Sequence, residues 1–498
     1  MNIGERAVAA ACKQNFFQGV YISSILALTF FAAVWIFFVP SVMAYEREPA
    51  LMDLRTTFSD GDYEPETLVQ MAVKKGFRVI FFNDHDRVAM EYGLPPFRNV
   101  IKWREEMNSI NKSGAAAYIR SIESVRKKHP EVIIIPGAES TPFYYWTGNI
   151  FAGNMTANNH ERRILTMGLE KPEDYKTLPI LHNRLSGTYL RAAIPALLVF
   201  GFSFLITLYF LFIPGWWRIF GAVLTVLNAG FFLNTLLSQP SPFDPYHGKQ
   251  GAAPYQFFID AVGRKGGLAF WNYPETKSGV RPLGPIKVKT LPYPEALLET
   301  TNYTGFSALY GDNITITEPG NLWDWALREY CRGVRATPPW GIATADYHKE
   351  GGAGQNLGDF QTVLWLREKS SQSVLKALKN GKMYACRGKF PEIPKLDEFS
   401  VAAANPGTAP RMISGDELVL ARNPRIRITV SGDKSGKGTV KVRLIRNGTL
   451  IRIFTGTLPL DIDYIDFLAM PGEKIYYRMD MTGYGTIVSN PIFVKFAK

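Results

Sequence analysis

The stretch Leu51–Arg87, "LMDLRTTFSDGDYEPETLVQMAVKKGFRVIFFNDHDR", governs how the rest of the chain is read. It opens on an apolar run that leads through Asp53 to Arg55. Ser59, Asp60 and Gly61 then give a tight-turn signal. "YEPETLVQMAVKKGF" places Pro65 near a helix start, Leu68, Met71 and Ala72 at helical spacing, and Gly76 at the stop. "RVIFFNDHD" follows as a short apolar strand that ends in Asp84 and His85. Titratable residues therefore gather where a strand ends.

The same rhythm returns three times. The basic helix pattern "YIRSIESVRKKHP" leads to "EVIIIPGAES", which ends at Glu139 and Ser140. "APYQFFIDAVGRKGG" leads to "LAFWNYPE" with Asn272, and "NLWDWALREYCRGV" to "GIATADYHKE" with Asp346 and His348. Helices alternating with buried strands predict a parallel α/β sheet or barrel, with a site at the carboxyl ends of the strands. A single histidine at such an end is ordinarily a capping or solvated group. Four loaded strand ends point to a site.

From about Ser400 the helix signals stop. "RIRITVSG", "TVKVRLIRNGTLIRIFTG", "KIYYRMDMTG" and "SNPIFVKFAK" alternate as strands, with a hairpin turn at "RNGT", Arg446–Thr449. This predicts an all-β sandwich of immunoglobulin type over 400–498. The Pro-rich stretch Phe390–Phe399 is the expected linker.

Three apolar runs stand apart. Phe16–Ala44 carries no charge and is long enough, at about 1.5 Å per residue, to cross a hydrocarbon core of about 30 Å. It reads as an uncleaved anchor over 16–44. Ala192–Pro214 and Ile219–Leu237 are separated only by "GWWR" and form a transmembrane hairpin over 191–238. Arg6 and Lys13 favour a cytoplasmic N-terminus, 1–15. The soluble segments 45–190 and 239–390 then lie on the periplasmic or extracellular side of an inner (plasma) membrane. The net charge of +12 is spread along the chain with no Lys/Arg tract interleaved with aromatics. That argues against nucleic acid and for a membrane surface. Of three cysteines, none forms a C-x-x-C pair. Cys331 and Cys386 are read either as a disulfide or as two unpaired core thiols.

The ordered pieces "TTFSDGDYEPETLVQMAVKKGF", "FNDHD", "PGAES", "GGLAFWNYPE" and "ATADYHKE" resemble the PHP (polymerase and histidinol phosphatase) family over about Asp53–Gly388. "VLKALKNGKMYACRG" is similar to the closing segment of its CehA/McbA-like branch, which often adds a C-terminal β domain. The resemblance implies a distorted (β/α)7 barrel holding two or three metal ions, and phosphoester hydrolysis by a metal-bound water. The implied ligands match in part. The first motif, H-x-H, falls on Asp53 and Arg55. Asp60, Asp84, His85, Glu139, Asp346 and His348 match. A further histidine falls loosely on Asn149, and the third motif's histidine on Asn272.

Two functions follow, beside a third in which the membrane hairpin is itself the working part and binds lipid or a partner complex. In one, the metal site is degenerate and the barrel is a non-catalytic binding or assembly module, with Arg55 paired to Asp53 or Glu139 and a membrane protein as a possible partner. In the other, one divalent ion (Mn, Mg, Zn or Fe) held among Asp53, Asp60, His85, Glu139, Asp346 and His348 serves a phosphoesterase. Arg55 then binds the phosphate of the substrate, and Asp84 acts with it as a catalytic residue. Most of His129, His160, His182 and His247 are expected to be solvated loop residues, with His160 or His247 the alternative as a replacement ligand.

Overall fold

The computed structural model describes residues 45–183, 187–238, 241–352, 355–404, 411–421, 423–433, 438–467 and 472–497. The expected anchor 16–44 lies outside them.

The opening stretch folds as its pattern predicts. Strand β1 (Glu46–Leu54) runs into the turn at 56–61. Helix α1 (Pro65–Lys74) has Pro at its start, Glu66 in its first turn and Lys74 in its last, and it buries Leu68, Val69 and Ala72. Met71 is only half-buried. Gly76, at φ +92°, ends the helix, because that backbone conformation suits a residue without Cβ. Strand β2 (Val79–Phe82) is buried on both faces, as a strand flanked by strands and covered by helices must be.

Seven strands make the frame: β1, β2, β5 (Ile133–Ser140), β6 (Arg163–Met167), β7 (Leu268–Asn272), β8 (Gly305–Leu309) and β9 (Trp340–Ala343). A small hairpin of β3 (Ala89–Gly93) and β4 (Lys102–Glu106) stands beside them. The order is β1-β2-β5-β6-β7-β8-β9. The pairs β1/β2, β2/β5, β7/β8 and β8/β9 are parallel. β6 is antiparallel to both its neighbours, which departs from the all-parallel expectation. Beyond β9 the chain bends back on β1. Ala345 N–H donates to Met52 C=O at 3.3 Å, Tyr347 N–H to Asp53 C=O at 3.0 Å, and Arg55 N–H to Tyr347 C=O at 2.9 Å. The ends of β1, β2, β5, β7 and β9 are thereby drawn to one mouth.

On its other side β1 pairs with β10 (Phe360–Leu366), then β11 (Met383–Arg387). The same sheet continues into the C-terminal strands β17 (Lys474–Gly483) and β18 (Thr486–Ser489) through β11/β18. It faces a second sheet that includes β12 (Lys395–Ala403) and β13 (Pro424–Ser431). Both sheets feed one core, with Leu396, Phe399, Ile426 and Ile428 against Val442, Met479 and Met481. Lys395–Phe399, expected as linker, therefore lie in a strand.

Helices α3 (Gly187–Phe210) and α4 (Trp216–Leu236) form the apolar hairpin, and both are long and apolar enough to cross a membrane. Their outer faces carry exposed Leu198, Phe202, Leu205 and Val226. Cys331 and Cys386 are free thiols, so the disulfide is not formed. Cys386 Sγ donates instead to Pro394 C=O at 3.2 Å.

Candidate functional site

Arg55 sits at the centre of the mouth with its side chain fully buried. One terminal nitrogen lies 3.1 Å from Asp53 Oδ1 and donates to the Asn83 carbonyl. The other lies 2.8 Å from Glu139 Oε2 and 3.3 Å from Asp346 Oδ1. One guanidinium thus ties the ends of β1, β5 and the segment after β9. A second cation, Arg163 at the start of β6, stands 3.3 Å from Glu139 Oε2 and 3.9 Å from Asp346 Oδ1.

Asn272, in the position of an expected histidine, links two of the carboxylates. Its Nδ2 donates to Asp53 Oδ2 at 3.0 Å and Glu139 Oε1 at 2.8 Å, while its Oδ1 accepts from the Ser307 hydroxyl. Tyr273 donates its hydroxyl to Asp53 Oδ2. Asp53, Tyr273 and Asp346 all hold positive φ, at 64°, 49° and 47°. Such backbone strain in residues with a Cβ collects at functional sites.

A second group faces the first. His85 puts Nδ1 3.2 Å from Glu139 Oε2 and Nε2 3.3 Å from Asp60 Oδ2. His348 puts Nε2 3.1 Å from the same Asp60 oxygen, and its Nδ1 lies 2.7 Å from the Asp346 carbonyl. A carbonyl only accepts, so that Nδ1 carries a proton. Nε2 then meets a carboxylate oxygen as a donor only when the ring is the imidazolium.

The electrostatics follow the geometry. Burial would lower the Arg55 pKa, but Asp53, Glu139 and Asp346 hold it well above the usual value. Burial raises the Asp53 carboxyl to about 6 against the pull of Arg55. Burial would also raise Glu139, yet Arg163, Arg55 and His85 hold it down at about 2. Burial opposes ionisation of Asp60 too, and the hydrogen bonds of His348 and His85 overcome it, so its carboxyl lies well below the usual range. His348 is raised in spite of burial by its bond to Asp60 and by the nearby Asp346.

Of the residues singled out in sequence, Asp53, Arg55, Asp60, His85, Glu139, Asp346 and His348 come together. Asp84 is buried beside them with both oxygens engaged. It accepts from Thr56 N at 2.7 Å, Thr56 Oγ1 at 2.8 Å and Ser59 Oγ at 2.6 Å, and so holds the turn that presents Asp60. Asn149 lies elsewhere, exposed, with its side chain accepting from Phe151 N. His182, expected to be solvated, is largely buried, its Nε2 2.8 Å from the Tyr144 hydroxyl. Arg163 and Tyr273 were not singled out.

The residues do not fit a metal at the centre. The position between Asp53, Glu139 and Asp346 is filled by a guanidinium that cannot lose its charge. Among the described residues no group of three or more His, Cys, Asp or Glu is arranged to hold an ion. His85, Asp60 and His348 nonetheless bring two imidazole nitrogens to one carboxylate oxygen.

No family profile and no curated protein matches the chain. Among solved structures it is similar to a two-domain protein from Bacteroides vulgatus containing a predicted PHP-like metal-dependent phosphoesterase. The identity is 14%, 88% of this chain and 92% of that one are covered, and the TM-score is 0.37. It is also similar to a candidate metal-dependent phosphoesterase from Bifidobacterium adolescentis, at 15% identity, over 66% of this chain and 95% of that one, with a TM-score of 0.27.

Proposed function

We propose that the chain is a membrane-anchored PHP-type barrel in which a guanidinium–carboxylate cluster replaces the central metal, and that it works as a binding or assembly module. One observation carries this reading: Arg55, fully buried, reaches three carboxylates that a divalent ion would otherwise bridge. A buried cation of that kind disfavours a divalent ion in the same place and, with Arg163, supplies the charge the carboxylates need. Seven strands in a row whose last segment bonds back to the first support the barrel. The exposed apolar hairpin α3–α4 supports the anchor; in this proposal the rest of the chain faces the periplasmic or extracellular side and the partner is a membrane protein.

The second reading, a phosphoesterase with one metal, rests on the convergence of His85 and His348 on Asp60. Those three would hold the ion, which would supply an activated water. Arg163, a quarter exposed at the mouth, would bind a substrate phosphate.

Metal analysis separates the two. Purified full-length protein, dialysed and then offered Mn2+, is expected to carry far less than one ion per chain and to leave bis(4-nitrophenyl) phosphate intact. One tightly held ion per chain, with hydrolysis that His348→Ala abolishes, would overturn the binding-module reading.

A further inference from the structure

A cavity of about 260 Å3 lies away from the carboxylate mouth, where the chain enters and leaves the apolar hairpin. Its walls are residues 180–183 ahead of α3, Ser238, Ser241 and residues 243–246 after α4, and Glu91, Arg98 and Asn99 of the β3–β4 hairpin. The tip of that hairpin is fastened to the last turns of α4. Asn99 N donates to Asn234 Oδ1 at 2.8 Å, and Asn99 Nδ2 to Asn234 C=O at 3.0 Å. The Phe97 ring packs 5.0 Å from that of Phe231. Asn234 is two residues from the end of α4, about 3 Å along its axis. If α3 and α4 span a bilayer, the cavity therefore lies at headgroup level. Val100 and Ile101, 39% and 51% exposed, stand beside it.

The lining has both signs of charge. The Arg98 guanidinium stacks 4.0 Å over the Tyr246 ring. No carboxylate among the described residues pairs with it. Glu91 does not supply that partner, since Lys102 at 3.0 Å and Arg104 at 3.4 Å already neutralise it. His182 adds no cation, because burial keeps its imidazole neutral. Asp244 is the remaining acid, its carboxylate accepting from Tyr246 N at 2.8 Å and lying 3.3 Å from His247. Ser241 Oγ accepts from Phe243 N at 3.1 Å, which leaves its hydrogen to offer.

We propose that this cavity binds the headgroup of an amine-bearing phospholipid. Arg98 and the Ser241 hydroxyl take the phosphate, and Asp244 faces the ammonium. A guanidinium matches a phosphate's oxygens in a bidentate fashion, and the opposite charge at the other wall suits a zwitterion better than a bare anion. The acyl chains would leave along Val100, Ile101 and the exposed face of the helical hairpin. The proposal rests on the membrane reading above, and it gives the hairpin tip a role that the carboxylate mouth does not explain.

The test uses the full chain in detergent, with its thermal midpoint read against four additives. Dihexanoyl phosphatidylethanolamine is expected to raise the midpoint. Dihexanoyl phosphatidylglycerol is expected to need at least tenfold more for the same shift. Dioctanoylglycerol, which lacks phosphate, and glycerophosphoethanolamine, which lacks acyl chains, are expected to leave it unmoved. Arg98→Gln should abolish the shift and Arg98→Lys should restore part of it. An unchanged response in Arg98→Gln would overturn the proposal, as would equal potency of the phosphatidylglycerol. An equal shift with glycerophosphoethanolamine would make the ligand a free phosphodiester instead of a lipid. Alkaline carbonate extraction of the native membranes reads the premise separately. Release of the protein would remove the membrane reading itself, whereas retention with a silent Arg98→Gln would remove only the lipid site.

Discussion

At the scale of single residues, Arg55 is the feature that most separates this site from a metal centre. It was visible in the sequence because it stands where a histidine was expected. Arg163 was not, for a reason that lies in topology. In a parallel sheet the carboxyl ends of the strands line the site, but β6 runs against its neighbours, so its first residue reaches the mouth. The register puts Arg163 opposite Asn272. The signal available was "RRILTM", two arginines heading an apolar run, which reads equally as a solvated strand start. Removing the central cation should be costly. Arg55→Gln leaves Asp53 buried without a charge partner and Glu139 with only Arg163 and His85, and breaking a buried pair in this way costs about 3–5 kcal/mol. Arg55→Lys should not rescue it, since a single ammonium cannot span three carboxylates. Denaturant unfolding of the two variants beside the parent checks both statements. His182 gives a second prediction. Burial lowers its pKa to about 3 from an ordinary 6.5. The folded state must therefore keep the ring neutral while the unfolded chain takes up a proton. Stability should be full above pH 6.5 and fall as pH drops from 6.5 toward 3, by up to about 1.4 kcal/mol per unit. His182→Gln should flatten that slope in unfolding measured across this range. A slope identical to the parent's would refute the assignment.

At the scale of elements, the turn at 56–61 shows why "TTFSDG" is a compact unit. Ser59 N and Gly61 N both donate to the Thr56 carbonyl, and Asp84 holds the turn from beneath. Gly61 is required by crowding. A Cβ there would lie 2.3 Å from the Arg55 carbonyl oxygen and 2.7 Å from Thr56 N. Gly61→Ala must push the turn off β1, at a cost of about 1–3 kcal/mol, and carry Asp60 away from His85 and His348. Thermal unfolding reads the first effect. The second appears as a fall of the His348 pKa toward that of a free imidazole, followed by NMR. The helix and strand rhythm of the α/β part was legible because its strands are largely buried on both faces and its helices are amphipathic. The β3–β4 hairpin was not, since "AMEYG" and "KWREE" alternate too weakly to separate from loop.

At the scale of the whole molecule, the sequence showed a change from α/β to all-β near residue 400 but not the continuity across it. Hydrogen bonds between backbones leave no trace in composition, and β11/β18 is such a junction, from Tyr384↔Ser489 to Arg387↔Thr486. A second junction is ionic. Arg478 of β17 pairs with Asp324 of helix α6 (Leu322–Cys331) through two contacts of 2.7 Å, both side chains fully buried. Tyr476 donates to the same carboxylate at 2.7 Å, and the Gly320 N–H donates at 2.7 Å. A chain ending at residue 390 would leave β11 as an open edge, a template for pairing with other chains. It would also leave Asp324 without its guanidinium. These two junctions predict that the β unit helps keep the α/β part folded. The expected outcome is that a 1–390 chain aggregates, whereas the full chain unfolds in one transition seen alike by tryptophan fluorescence and by circular dichroism. Asp324→Ala should lower stability by about 3–5 kcal/mol, because it removes both close contacts of the buried Arg478 and leaves only Asp480 at 3.9 Å. Asp324→Ala with Arg478→Met should recover most of that loss, since an apolar chain of similar length suits the space beside Trp323. Separate transitions for the α/β part and the β unit in the parent protein would show the junction to be a mere contact between independent domains.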